Sequence, residues 1–337
     1  MKSYQNKNLA FVSIVIACQN EEKYIKECLN SLINQNYPKN NFEIIVADGE
    51  SQDKTKKIIN NVIENNPHIK IKFLNNPQKF NSFGFNLGIK ESRGEVIIIF
   101  GAHTIANKNF IVKNIEYLEK TETDCVGGPI KNVSNSFMGK IISLVISSPF
   151  GVGGAKFRYS QEEGYVDTVA FGAYRAKIFK KIGLFNEKLV RNQDIEFNSR
   201  MRKAGGKIFM TPEIKSYYQV PETLSKLWLQ NFRNGLWNIH TQKLVPGSLR
   251  LRHFIPLCFI GGLLGSLILT FFTLVGKILF ILIASSYILA NLFFSFKISL
   301  KKGLKYLPVL PITFFILHFS YGLGSIWGIL TLWKIKR

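Results

Sequence analysis

The chain has 337 residues, enough for one large domain or two ordinary ones, and carries 44 Lys and Arg against 22 Asp and Glu, a formal charge of +22. That excess calls for an anionic partner, whether nucleic acid, a phosphorylated substrate or an anionic membrane face. Cys18, Cys28, Cys125 and Cys258 are scattered, and the five histidines cluster neither with them nor with each other, which argues against a disulfide framework and a structural zinc site and fits a reducing compartment.

The first element lies in "KNLAFVSIVIACQN", whose early lysines, short apolar run and Val-Ile-Ala-Cys box admit a removable signal. The same residues fit a strand at 11–17 that feeds a helix, in which Tyr24, Ile25, Cys28, Leu29, Leu32 and Ile33 recur at helical spacing. A strand at 42–47, a helix at 53–64, a strand at 69–74, a helix at 83–91 and a strand at 95–100 follow. This alternation predicts an α/β fold with a parallel sheet and helices on both faces. Ligands of such sheets sit at the carboxyl ends of the strands. Asn20-Glu21, Asp48-Gly49-Glu50-Ser51 and His103 fall there, so one crevice is expected to collect them. The run "EVIIIFGAHTIANKNF" raises a chemical question, because its loop offers an imidazole and no carboxylate.

From 135 to 164 the chain is rich in Gly and Ser with no sustained period, and reads as a mobile loop or an ordinary connection. "RNQDIEFNSRMRKAGGKIFMTPEI" reads as a helix ended by Gly205-Gly206 and then a short strand. Residues 222–245 mix Trp228, Leu229, Phe232, Leu236 and Trp237 with Lys226, Arg233 and Lys243, as an amphipathic helix in a membrane interface would. From Arg252 onward no Asp or Glu occurs, and apolar stretches at 254–275, 278–296 and 307–333 are each about the 20 residues needed to cross a bilayer. The expected division is 1–250 for a cytoplasmic domain and 251–337 for about three transmembrane helices. Lys297, Lys301, Lys302 and Lys305 place their loop, and with it the first 250 residues, on the cytoplasmic side. The tail Lys334, Lys336 and Arg337 then falls outside, against the same rule, so charge leaves the count of three open.

"SIVIACQNEEKYIKECLNSLINQNYP" followed by "EIIVADGESQDKT" resembles the opening of family 2 glycosyltransferases. "SSPFGVGGAKFR", "VDTVAFGAYR", "GLFNEKLVRNQDIEFNSRMRKAGGKI", "QNFRNG" and "YGLGSIWG" are similar to the succinoglycan-type exopolysaccharide glucosyltransferase branch. The resemblance implies a GT-A fold, a Rossmann-like and mostly parallel sheet that binds a nucleotide sugar, followed by C-terminal transmembrane helices. It implies an inverting transfer of a hexose, from a UDP-linked donor, to a lipid-linked or growing saccharide in extracellular polysaccharide synthesis. Asp48 then recognises the nucleotide base, with Asn20, Glu21 and His103 around the nucleotide sugar. Asp194 matches the base that takes the acceptor's proton, while Glu196, two residues on, would not share its helix face. Gln230 and Arg233 match a Gln-x-x-Arg pattern that borders the acceptor and the diphosphate, where the planar Arg fork suits phosphate oxygens.

Most members end the fourth strand in Asp-x-Asp, whose carboxylates hold a divalent metal. In this chain Gly101 takes the first place and His103 the second. One neutral imidazole anchors Mg²⁺ or Mn²⁺ poorly, since both prefer oxygen. Three outcomes stay open: a metal held mainly by the diphosphate with His103 as its protein ligand, a cation such as Arg191 or Arg233 in the metal's place, or loss of activity. The rival readings are a silent homologue that binds nucleotide sugar or scaffolds a polysaccharide-assembly complex, and a processive synthase. Expected partners are a nucleotide-sugar donor, a lipid-linked acceptor and membrane lipids. Nucleic acid is not expected, because no binding motif accompanies the charge.

Overall fold

The computed structural model describes residues 9–335, so Lys336 and Arg337 of the tail and the first eight residues lie outside it. The chain forms two compact units, one of 1–131 with 160–218 and one of 132–159 with 219–337. Residues 219–250 thus pack with the C-terminal helices of the second unit.

Unit one is built on strands β1 (Val12–Cys18), β2 (Phe42–Asp48), β3 (Lys70–Asn75) and β4 (Val96–Gly101), followed by β5 (Thr104–Ala106), β6 (Cys125–Gly128) and β7 (Ile130–Val133). After them come β8 (Gly164–Tyr165), β9 (Ala170–Arg175), β10 (Ile208–Met210) and β11 (Ser216–Gln219). Eight of these form one sheet in the order β3-β2-β1-β4-β9-β6-β10-β8. The β3-β2-β1-β4 half is parallel; β9 then enters antiparallel between β4 and β6. All seven residues of β1 and all seven of β2 are buried, as central parallel strands covered on both faces must be. A removable signal does not fit a segment that is the middle of the sheet.

Helix Ile25–Ile33 buries Ile25, Cys28, Leu29, Leu32 and Ile33, the stripe its spacing predicts. The register sets the crevice: Cys18 pairs with Asp48, and Ala17 with Gly101, so the ends of β1, β2 and β4 are level. The expected short strand after Gly205-Gly206 is β10.

Unit two is helical. The segment expected to be a loop contains helices Phe137–Ile146 and Pro149–Val152, because Ile141, Ile142, Val145 and Ile146 make one buried stripe and Ser136 caps the first helix at Gly139 N (3.0 Å). The Phe150 ring lies among His318, Phe294 and Phe314, at 4.8, 4.9 and 5.0 Å between centroids. His318 Nε2 donates to the Phe150 carbonyl (3.0 Å), which leaves Nδ1 to accept from Tyr287 (3.1 Å).

Helix Leu224–Leu244 runs against helix Leu310–Leu330. A Cβ at Gly235 would overlap the Tyr321 carbonyl oxygen, and one at Gly324 the Phe232 carbonyl oxygen. "QNFRNG" and "YGLGSIWG" are thus two halves of one close helix contact that only small residues permit. The helix read as interfacial packs its Gly235 edge here, within the second unit, while Trp228 and Leu229 remain exposed.

Among the described residues, two helices, Leu274–Lys302 and Leu310–Leu330, are long and apolar enough to cross a membrane. The first predicted crossing is realised as Ile255–Leu269, 15 residues. At 1.5 Å per residue it covers about 22 Å, short of the ~30 Å hydrocarbon core. The chain turns after Leu269 because Thr273 starts a new helix, its hydroxyl accepting from Gly276 N (3.0 Å).

Candidate active site

Asp48 ends β2 and is buried, 2% exposed. Its Oδ2 accepts from Ser51 N (3.0 Å) and its Oδ1 from Ser51 Oγ (2.6 Å), while the Cys18 thiol lies 3.7 Å from Oδ1. Burial, and then the Asp48 carboxylate, push that thiol's pKa up, so Cys18 is inert. The loops after β1 and β2 are laced together. Asn20 N donates to Ser51 Oγ (2.8 Å), Asn20 Oδ1 accepts from Gln52 N (2.8 Å), and Glu21 N donates to Thr55 Oγ1 (2.7 Å). Asn20, Glu50, Phe171 and Asn192 all have positive φ without being glycine, and all stand at strand or helix ends of this unit. Such strain persists only where the surroundings over-determine it, and it concentrates at functional sites.

Glu21 turns its carboxylate to His103, with Oε1 3.0 Å from Nδ1. Pairing of β5 with β11 sets Tyr218 opposite Thr104, and the Tyr218 ring meets the imidazole edge-on at 4.9 Å. Burial alone would lower the imidazole's pKa. The Tyr218 oxygen and the Glu21 carboxylate outweigh it and raise the value to about 9. The Glu21 carboxylate, 3.0 Å from Nδ1, thus favours the protonated form of the ring. Nothing near His103 in sequence announced Tyr218; it arrives 115 residues later, through the antiparallel ladder.

This pair gives a pH signature. A raised pKa stabilises the fold fully below the unfolded value near 6.5 and loses that contribution as pH rises through about 9. Melting curves at pH 6 to 10 should show the wild type losing more stability across the upper window than His103→Gln; parallel curves would refute the pairing.

A metal fits poorly here. A Cβ at Gly101 would stand 2.8 Å from Phe171 Cε1 and 3.0 Å from Thr104 Oγ1, so the room for an acidic side chain is filled. Glu21 hydrogen-bonds the His103 imidazole, and the Tyr218 ring meets it edge-on. A cation at Nδ1 would have to displace Glu21. Among the described residues no group of three or more His, Cys, Asp and Glu could hold a metal ion.

Asp194 lies in the first turn of helix Gln193–Lys203, exposed, where the helix dipole favours its charge. The N-cap is Asn192, at φ 62°, so Asp194 is not the capping residue. Glu196 is 3% exposed and bound by Arg200 through Nε–Oε1 (2.7 Å) and Nη2–Oε2 (3.0 Å). Behind Asp194, Tyr174 of β9 donates to Asn198 (3.0 Å), which donates to Thr168 (2.8 Å). Burial, then Cys125 and the Asp194 charge, hold the Tyr174 hydroxyl well above its ordinary pKa.

Asn20, Glu21, Asp48 and His103 are thus brought to the ends of β1, β2 and β4. Arg191 is half-buried, three residues before Asp194 in the same unit. Gln230 and Arg233 belong to helix Leu224–Leu244 of the other unit; Arg233 is exposed, Gln230 half-buried, and their spacing of three puts them on one face.

Residues 13–183 match the family model described as Glycosyl transferase family 2, half of the chain. A dolichyl N-acetyl-α-D-glucosaminyl phosphate 3-β-D-2,3-diacetamido-2,3-dideoxy-β-D-glucuronosyltransferase of Methanococcus voltae is 33% identical over 320 residues, 93% of this chain and 95% of that protein. Succinoglycan biosynthesis protein ExoA of Rhizobium meliloti is 27% identical over 260 residues, 76% of this chain and 77% of that one. Among solved structures, the mannosyltransferase PcManGT of Pyrobaculum calidifontis, determined with GDP-Man and Mn²⁺, superposes with TM-score 0.61 at 15% identity, over 94% of this chain and 87% of that one. At that identity the likeness shows the GT-A fold alone. With a match over half its length and a relative aligned along nearly all of it, the chain belongs to family 2 of the glycosyltransferases.

Proposed function

We propose that this glycosyltransferase is membrane-bound and inverting, and that it moves a hexose from a UDP-linked sugar to a lipid-linked or growing saccharide in extracellular polysaccharide synthesis. The observation that carries this reading is the contrast on one helix turn: Asp194 is exposed at the start of helix Gln193–Lys203, whereas Glu196 is buried and bound by Arg200. Asp194 takes the proton of the acceptor hydroxyl as its oxygen attacks the anomeric carbon, and the nucleoside diphosphate leaves from the opposite face. Asp48 reads the base. A carboxylate offers about four lone-pair sites, and the two bonds to Ser51 leave acceptor capacity for a ring N–H. Asn20 and Glu21 hold the loops on which the nucleotide rests, and Arg191, Gln230 and Arg233 serve the acceptor and diphosphate.

Charge supports a lipid-linked acceptor. Residues 132–159 and 219–337 contain Glu222 as their one acidic residue, so most of the positive excess sits with the apolar helices. Anionic headgroups and a polyprenyl-linked phosphate both match it. The Methanococcus relative is named for a dolichyl-linked acceptor. An acceptor confined to the bilayer meets a tethered enzyme at raised effective concentration. Residues 1–250 lie on the cytoplasmic side in this reading, the side of the basic loop from Lys297 to Lys305.

The filled position at Gly101 favours one second reading, a silent homologue that binds nucleotide sugar or scaffolds an assembly complex. Purified protein in nanodiscs, screened against nucleotide sugars, should be stabilised by its donor, by about 2.7 kcal/mol at 100-fold the Kd. With that donor and a polyprenyl-linked acceptor, release of UDP and a product of inverted anomeric configuration are expected. A retained configuration refutes inversion. Stabilisation without turnover on any acceptor favours the silent homologue.

A further inference from the structure

The resemblance that supplies the donor site also supplies an expectation of a metal, and the residues disagree with it. The place of the first carboxylate is occupied: Phe171 Cε1 and Thr104 Oγ1 stand where a side chain at Gly101 would grow. Phe171 is not a casual neighbour. It is held at φ 51°, a conformation costly for an aromatic residue, and its ring packs on Phe100 of β4 at 5.2 Å. The other place is His103, an imidazole bonded at Nδ1 to Glu21 and met edge-on by the Tyr218 ring at 4.9 Å. A cation there would have to break the Glu21 pairing or find its oxygen ligands elsewhere.

We propose that this chain binds and uses its nucleoside diphosphate donor without a divalent cation at the end of β4, because Phe171 and Thr104 fill the carboxylate position and Glu21 and Tyr218 hold His103. The inference rests on the nucleotide-sugar reading above. The diphosphate charge is then met by fixed positive groups of the protein, which act in a site sheltered from water as a bound cation would.

Calorimetric titration of the full chain in nanodiscs with UDP, and separately with GDP, tests this in EDTA and in Mn²⁺, after correction for Mn²⁺ bound by free nucleotide. The expected result is a Kd that differs by less than about twofold between the two buffers. A second variant, Gly101→Asp combined with Phe171→Ala, supplies both a carboxylate and the room for it. It should acquire about tenfold tighter UDP binding in Mn²⁺ than in EDTA, with water-proton relaxation reporting the bound Mn²⁺. Mn²⁺ tightening of wild-type binding by about tenfold overturns the inference and leaves the nucleotide-sugar reading standing. Failure of either nucleotide to bind in either buffer overturns both.

Discussion

Asp194→Asn is expected to lower turnover by about 10³-fold, within the ~10²–10⁴ that a positioned acid or base contributes, while the Kd for the donor nucleotide and the melting temperature stay close to wild type. The amide keeps the size and hydrogen-bonding capacity of the side chain but cannot take a proton from an attacking hydroxyl. Little structural cost is expected, because Asp194 is exposed in the first helical turn and Asn192, not Asp194, stands at the N-cap position. A neighbouring carboxylate cannot substitute. Glu196 is buried, and both its oxygens accept from Arg200. Steady-state rates with nucleotide titration on the same preparations check the result. A variant within about tenfold of wild type would remove Asp194 from the role of base.

Arg200→Met should show the opposite division, losing stability and keeping chemistry. Arg200 donates twice to Glu196, to the Leu184 carbonyl (2.7 Å) and to the Ile182 carbonyl, and so ties helix Gln193–Lys203 to the turn before it. Its removal leaves a carboxylate buried without its partner. Breaking such a pair costs about 3–5 kcal/mol when both ions are buried. Arg200 is 30% exposed, so solvent screening reduces the expected loss to about 2–3 kcal/mol. Adding Glu196→Gln should recover part of the loss, since the second change removes the stranded charge. Denaturation of the two variants beside wild type measures both effects. Equal stability of all three would show that the pair contributes nothing.

Much of unit one was legible in advance, since buried parallel strands write themselves as continuous β-branched runs and their helices as stripes of period 3.6. The strands at 11–17, 42–47, 69–74 and 95–100 are found within a residue or so of their expected bounds. The helix stripe Ile25, Cys28, Leu29, Leu32 and Ile33 is buried as its spacing predicts. The segment around Phe150 was opaque. Its glycines and serines suggested an irregular loop, whereas the Phe150 ring and carbonyl find His318, 168 residues away. The contact of Gly235 with Gly324's helix was opaque for the same reason: a glycine's sequence neighbours do not say whose backbone will approach it.

By itself the sequence determined the alternation of strand and helix, the membership of the family, the apolar and acid-free character of the C-terminal third, and the identity of Asp48 and Asp194 as the acids to watch. The first and third follow from residue type and local spacing, which act over a few residues, and the second and fourth from the resemblance of whole motifs to a known family. Tertiary structure alone decided that Glu196 belongs to Arg200, that Glu21 and Tyr218 meet His103, and that Phe171 occupies the place of a missing carboxylate. Each of those outcomes depends on burial and on partners brought from distant strands, and the free energy of a charge is set by what surrounds it rather than by what precedes it in the chain.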